Sequence, residues 1–214
     1  MSLVVTIDGP SGTGKSTVSR AVAQAVGLPH LDTGAFYRAA TVAVLETGID
    51  PEDKAGVEQL VAAIDLDQRD GVTLLDGRDV SSQIREDHVS QSVSAVSAHP
   101  GVRSQLVGVQ RKWVEQHQGR AVVEGRDIGS VVFPDAEVKV YLDARPEVRA
   151  KRRALERGGD PADVARTMAR RDHLDSTRPT SPLTVPDGAV VVDTSEMSFD
   201  EVVGQVTELI LARS

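Results

Sequence analysis

The sequence predicts an α/β fold, a parallel sheet wrapped by helices, on three observations. Short runs rich in Val and Ile recur between Gly, Asp and Pro: Leu3 to Ile7, Ala121 to Val123, Val138 to Leu142 and Ala189 to Val192. Near-continuous apolar runs of this length suit strands buried on both faces of a parallel sheet. Helical spacing fills the intervals, with Val18, Val22, Ala25 and Val26 after the first run and Phe199, Val202, Val206, Leu209 and Ile210 after the last. A glycine-rich segment joins the first strand to the first helix, which completes the alternation expected of the class.

That segment, Gly9-Pro10-Ser11-Gly12-Thr13-Gly14-Lys15-Ser16, fits G-x-x-x-x-G-K-[ST] at every fixed position. Its glycines let successive backbone N–H groups turn inward toward phosphate oxygens, and the helix beginning near Lys15 adds its partial positive charge. Lys15 is placed to reach the outer phosphates of ATP, and the Ser16 hydroxyl to ligate Mg²⁺. Such sites take an acid from the end of a neighbouring strand to orient the water shell of the metal. Glu124, directly after Ala121-Val122-Val123, fits that role and equally fits an ordinary strand-end carboxylate.

Between the phosphate loop and the second apolar run, residues 34–118 read as containing an insertion. Asp70-Gly71 and Asp76-Gly77 flank Val72 to Leu75, which predicts short antiparallel strands with tight turns over about 65–81. Helical patterns lie on both sides, about 51–64 and 82–98. The Pro-rich stretch 179–186 reads as a loop leading into the last strand.

Composition narrows the function classes. The 214 residues predict one domain with an aliphatic core, since aromatics are only 3%. The longest apolar run is five residues, Leu60 to Ile64, so no membrane helix is expected. No signal peptide is visible, and the absence of cysteine excludes a disulfide framework or a thiolate metal site; both point to the cytoplasm. A net charge of −8 disfavours nucleic-acid polymers. Residues 145–178 nevertheless carry ten basic and six acidic side chains, a +4 segment in a −12 remainder, which asks for an anionic ligand. The chain has no asparagine, so the guanine-reading N-K-x-D motif is impossible and a GTPase switch is disfavoured. The five histidines show no metal-ligand spacing and read as structural or surface residues. Trp113 reads as helix packing.

Three further blocks follow in order: Asp32-Thr33-Gly34-Ala35-Phe36-Tyr37-Arg38, then Glu124-Gly125-Arg126-Asp127-Ile128-Gly129-Ser130-Val131-Val132-Phe133-Pro134, then Arg171-Asp172-His173-Leu174-Asp175-Ser176-Thr177-Arg178. With the phosphate loop they resemble the bacterial cytidylate kinases, the (d)CMP kinases of the nucleoside monophosphate kinase group, over nearly the whole chain. The resemblance implies a P-loop fold with a five-stranded parallel sheet. It implies a core of about 1–33, 119–148 and 179–214, a monophosphate-binding insert of about 34–118 and a short lid of about 149–165. The activity it implies is transfer of a phosphoryl group from ATP to CMP or dCMP with Mg²⁺, by a monomer that takes small-molecule nucleotides.

By the same resemblance Gly9 to Thr17, Arg153 and Arg157 hold ATP, while Lys15, Arg126, Arg149 and Arg153 are catalytic. Arg149, Arg152, Arg153 and Arg157 resemble lid arginines around Gly158-Gly159. Arg38, Arg103 and Arg126 match phosphate or base contacts, as several guanidinium groups on a dianion require. Asp127 matches the reader of the cytosine amino group, with Ser94 beside it, and Arg178 touches base and phosphate. Thr33 stands where serine is more usual and keeps the hydroxyl, and Tyr37 completes the acceptor block. Arg171 and Asp175 match residues that hold the ribose hydroxyls, and Ser16 with Glu124 forms the metal site. Taken alone, Arg171 and Asp175 at i and i+4 also fit a surface ion pair, and Arg126 a strand-end pair. A kinase for UMP, AMP or shikimate, or a non-catalytic nucleotide-binding module, stays open on the residues alone.

Overall fold

The structure is a computed structural model that describes residues 2–158 and 160–213, with the side chains of Arg157 and Pro161 outside the description. The chain forms two compact units, Met1–His30 with His117–Ser214, and Leu31–Gln116.

In the first unit, strand β1 (Leu3–Asp8) is buried along its whole length and leads through the glycine-rich loop into helix α1 (Lys15–Val26). Gly27, at φ 65°, ends α1, and its N–H returns to the Ala23 and Gln24 carbonyls. The chain leaves this unit within the short strand β2 (His30–Asp32), after His30.

The first helix of the second unit is α2 (Thr33–Glu46), buried nearly all round, followed by α3 (Lys54–Ala63). Strands β3 (Leu66–Arg69), β4 (Val72–Leu75) and β5 (Arg78–Asp79) make an antiparallel sheet. Arg69 pairs with Val72 and Leu75 with Arg78, so each connection is a two-residue loop. Both loops are Asp-Gly with φ above zero at both positions, the conformation that suits a tight hairpin. Helices α4 (Asp87–Ala98) and α5 (Pro100–Gln116) close the unit, with α2 packed on α3, α4 and β4.

The chain returns as β6 (Arg120–Glu124), a π-helical turn over Ile128–Val132, β7 (Val138–Asp143), α6 (Pro146–Arg157), α7 (Pro161–Thr177), β8 (Val190–Asp193) and α8 (Phe199–Leu211). The sheet order is β2-β6-β1-β7-β8. β1 lies parallel between β6 and β7, with Val5 opposite both Val122 and Val138. Val18 and Val22 of α1 and Val202, Val206 and Ile210 of α8 pack on Val5, Ile7, Val140 and Leu142. Ser198 and Glu201 form a reciprocal capping box at the start of α8.

The five-stranded parallel sheet agrees with the expected class. β2 is not among the four apolar runs, because three residues, His-Leu-Asp, carry no periodicity. The last run departs from the expectation of burial on both faces: Val192 is 2% exposed but Val191 is 52% exposed. β8 is an edge strand with one neighbour, so only alternate side chains reach the core.

Candidate active site

β1 delivers the phosphate loop. Gly9 turns the chain at φ 146°, where a Cβ would stand 2.1 Å from the Leu142 carbonyl oxygen, so only glycine fits. Gly12 and Gly14 also take positive φ, and α1 begins directly after them. Lys15 is buried, and its Nζ donates to the Pro10 carbonyl at 2.7 Å. Burial pulls its pKa well below the ordinary value, helped by Arg126 and opposed by Glu124 and Asp8. Thr13 and Thr17 hydroxyls donate to the Pro10 and Gly14 carbonyls, which tightens the loop.

Ser16 Oγ donates to Glu124 Oε2 at 2.9 Å, bringing the first residues of α1 to the end of β6. The other Glu124 oxygen faces His30 Nε2 at 3.2 Å. A hydroxyl and a carboxylate meeting at one point are hard oxygen donors of the kind Mg²⁺ takes, so the residues present fit that ion. Asp8, at the end of β1, accepts from the Ile128 and Gly129 N–H groups at 2.8 Å each. It thereby ties the strand before the loop to the turn that follows Arg126-Asp127. Neither Asp8 nor His30 is singled out by the sequence. Asp8 left one signal, an acid closing an apolar run directly before Gly9, whereas His30 left none.

Arg126 spans two groups. Its Nη1 donates to the Gly9 carbonyl at 2.9 Å and its Nε to Asp175 at 3.0 Å. Asp175 also meets Arg178 at 3.4 Å, and Arg178 lies 3.9 Å from Asp127. Burial raises the Asp175 carboxyl, but Arg126, Arg171 and Arg178 outweigh it and hold the group below its usual value. Arg171 is pulled down to about 10 by burial, with Arg126 adding repulsion and Asp175 opposing, and stays charged at neutral pH. These groups are an enclosed charge cluster rather than surface ion pairs.

The basic helix α6 is also engaged. Arg149 donates to the Ser11 carbonyl at 3.0 Å and pairs with Asp172, whose other oxygen accepts the Ser11 N–H at 3.4 Å. Arg152 grips Thr194 through both its hydroxyl and its carbonyl, and Arg153 pairs with Glu156. The side chain of Arg157 and the residue Gly159 lie outside the described residues.

The second unit groups the remaining candidates. Asp32 caps α2 by accepting the Ala35 N–H at 3.1 Å, which fixes Thr33 as the first helical residue. The Arg103 guanidinium of α5 lies 5.1 Å from the centre of the Tyr37 ring, a cation–π contact. Arg38 donates to Ser90 Oγ at 2.8 Å and to the Ile84 carbonyl. Ser94 sits half-buried on α4. Trp113 is buried within α5 and donates to a carbonyl, in keeping with packing.

The family model described as cytidylate kinase matches residues 5–212. The chain belongs to the cytidylate kinase family. A cytidylate kinase of Mycobacterium leprae (strain Br4923) is 51% identical, over 99% of this chain and 97% of the relative. One of Rhodococcus opacus (strain B4) is 50% identical over 100% and 96%. The fold likeness reaches a shikimate kinase of Bacteroides thetaiotaomicron, with a TM-score of 0.51 and 11% identity over 98% of both chains. Membership of the cytidylate kinase family makes the chain a phosphotransferase. Among the described residues no helix is long and apolar enough to cross a membrane.

Asp8 gives this cytidylate kinase a measurable pH signature. Burial raises its carboxyl to about 6 against the two N–H bonds that lower it. The folded value lies above the unfolded one, so the native state binds the extra proton. The contribution of Asp8 to stability is complete below about pH 4 and falls by about 3 kcal/mol as pH rises through 6. The difference in unfolding free energy between wild type and Asp8→Asn, followed from about pH 4 to about pH 8, is expected to trace that fall and then level. A difference independent of pH overturns the assignment.

Proposed function

We propose that this kinase, which transfers the γ-phosphoryl group of ATP to CMP or dCMP to give CDP or dCDP and ADP in pyrimidine nucleotide metabolism, works through the residues gathered around the phosphate loop. The observation that carries the reading is Arg126, one guanidinium joined both to the loop at Gly9 and to the Asp175 cluster that includes Arg178 and Asp127. Gly9 to Thr17 cradle the ATP phosphates, with Lys15 on the outer oxygens. Arg153 and Arg157 complete the ATP contacts.

The acceptor is held by Thr33, Tyr37, Arg38, Ser94, Arg103, Arg126, Asp127, Arg171, Asp175 and Arg178. Its phosphate is already ionised at neutral pH, so its oxygen attacks the γ-phosphorus without a general base. Negative charge spreads over the transferred oxygens, where Lys15, Arg126, Arg149 and Arg153 stabilise it. Ser16 and Glu124 would hold Mg²⁺, which when bound neutralises phosphate charge. Arg171 and Asp175 take the ribose hydroxyls. The chain acts as a single catalytic domain, with core 1–33, 119–148 and 179–214, insert 34–118 and lid 149–165. Lid closure excludes water and so suppresses transfer to solvent. A cytoplasmic monomer is the form proposed.

Cytosine offers a 4-amino donor, and a carboxylate at Asp127 is its natural acceptor, whereas uracil presents a carbonyl there. One such contact discriminates by about 1–3 kcal/mol, or roughly 10- to 100-fold. Turnover with CMP, dCMP, UMP and AMP at equal concentration is expected to favour the two cytidylates. A tenfold preference for UMP over CMP overturns the reading.

A further inference from the structure

We propose that Gln68 is a positioning residue for the monophosphate acceptor, tying the β3–β4 hairpin to the start of α2 and to α5. The inference rests on the reading that Tyr37, Arg38 and Arg103 contact that acceptor.

Gln68 occupies an inward position of β3, two residues after Leu66, where an apolar side chain is the ordinary choice. It is 3% exposed. A buried amide is costly unless its polar groups find partners, and here both ends do. Oε1 accepts the Asp32 N–H at 2.9 Å, and Nε2 donates to Thr73 Oγ1 at 3.2 Å. The Gln68 carbonyl accepts the Trp113 Nε1–H at 2.8 Å. Thr73 is the cross-strand partner of Gln68, and its own N–H donates to Ser81 Oγ, so the amide is oriented by a hairpin that is itself pinned.

Each contact leads to a candidate acceptor residue. Asp32 is the N-cap of α2, and the backbone N–H it donates to Gln68 holds the cap residue whose side chain accepts the Ala35 N–H. Fixing the cap fixes where α2 begins, and with it Thr33, Tyr37 and Arg38. Trp113 belongs to α5, the helix that carries Arg103 over the Tyr37 ring. One residue therefore meets both elements whose side chains stack on each other. The three-stranded insertion sets the spacing of those side chains instead of decorating the surface.

The test compares Gln68→Met, which keeps length and loses the amide, with Thr73→Val, which removes the acceptor of the amide Nε2–H and leaves Oε1 free to accept the Asp32 N–H. Arg38→Ala serves as a control. CMP and ATP are varied separately in steady state, and CMP binding without ATP is measured by calorimetry. Misplacement of a binding group by a fraction of an ångström weakens its ligand without touching the phosphoryl donor. Gln68→Met is expected to raise KM and Kd for CMP about tenfold, with KM for ATP within about twofold and kcat within about threefold. Thr73→Val is expected to raise KM for CMP about threefold.

Unchanged CMP affinity in Gln68→Met, or an equal rise in both KM values, overturns the proposal and leaves Gln68 a scaffold residue. If Gln68→Met does not fold, Thr73→Val decides, and an unchanged KM for CMP overturns it. If Arg38→Ala also leaves CMP affinity unchanged, the failure lies with the reading of α2 as an acceptor element.

Discussion

Lys15→Ala is expected to lower kcat by about 10³-fold while leaving CMP affinity within about twofold. Removing one preorganised donor from a water-excluded site costs about 10²–10³ in kcat, and Lys15 brings a full charge as well as hydrogen bonds. Its Nζ rests on the Pro10 carbonyl, inside the loop it serves. Burial and the neighbouring Arg126 have already lowered its proton affinity. The ammonium is thus held with little of the hydration it would have in water, so a phosphate charge meets it strongly. A coupled assay of ADP release and calorimetry with CMP read the two halves of the result. Wild-type turnover in the variant overturns the phosphate-loop mechanism.

Arg126→Ala is expected to reduce kcat/KM for CMP by about 10³-fold and folding stability by about 3 kcal/mol. The two losses have different sources. The catalytic loss follows from removing the cation that joins the phosphate loop to the acceptor cluster. The stability loss follows from Asp175, which is enclosed and loses its 3.0 Å partner with Arg126, keeping Arg178 at 3.4 Å and the nearby charge of Arg171. Breaking one side of a buried pair is far costlier than the pair was worth, because the remaining enclosed charge loses part of its compensation. Chemical denaturation and steady-state kinetics separate the effects. Arg126→Lys keeps the charge but not the two-pronged geometry, and is expected to recover more stability than activity. A variant that loses stability alone makes Arg126 a structural residue.

The strands that build the sheet interior were legible because each centres on closely spaced aliphatic residues, such as Val4 and Val5, Val122 and Val123, and Val138 and Val140. β2 was not, since its three residues join the sheet through a neighbour and not through a pattern of their own. α5 hides for another reason. Its buried face carries Arg103 and Gln110 beside Leu106 and Trp113, so the apolar spacing is broken where polar side chains turn inward. In the candidate site the phosphate loop could be read residue by residue, because backbone conformation dictates its glycines. The Asp8 and His30 contacts depend on which strand ends come side by side, and sheet order cannot be seen in local spacing. Gln68 was invisible for the same cause: a single polar residue in a polar, turn-rich stretch gives no sign that it faces inward.

On the ribosome, β1 leaves the exit tunnel long before either of its neighbours exists. Its flanking partners begin at Arg120 and Val138. At roughly 5–20 residues per second, the wait for β6 is on the order of ten seconds. Leu3 to Ile7 has no charge to protect it during that time, and such a segment is prone to pair with the wrong chain. Leu31–Gln116, by contrast, is complete before the first partner of β1 has been made. The nascent protein therefore spends much of its synthesis with β1 unpaired while Leu31–Gln116 is already complete. Threading β1 between β6 and β7 is a late, long-range step, which makes the birth of this enzyme slower than its helix content suggests.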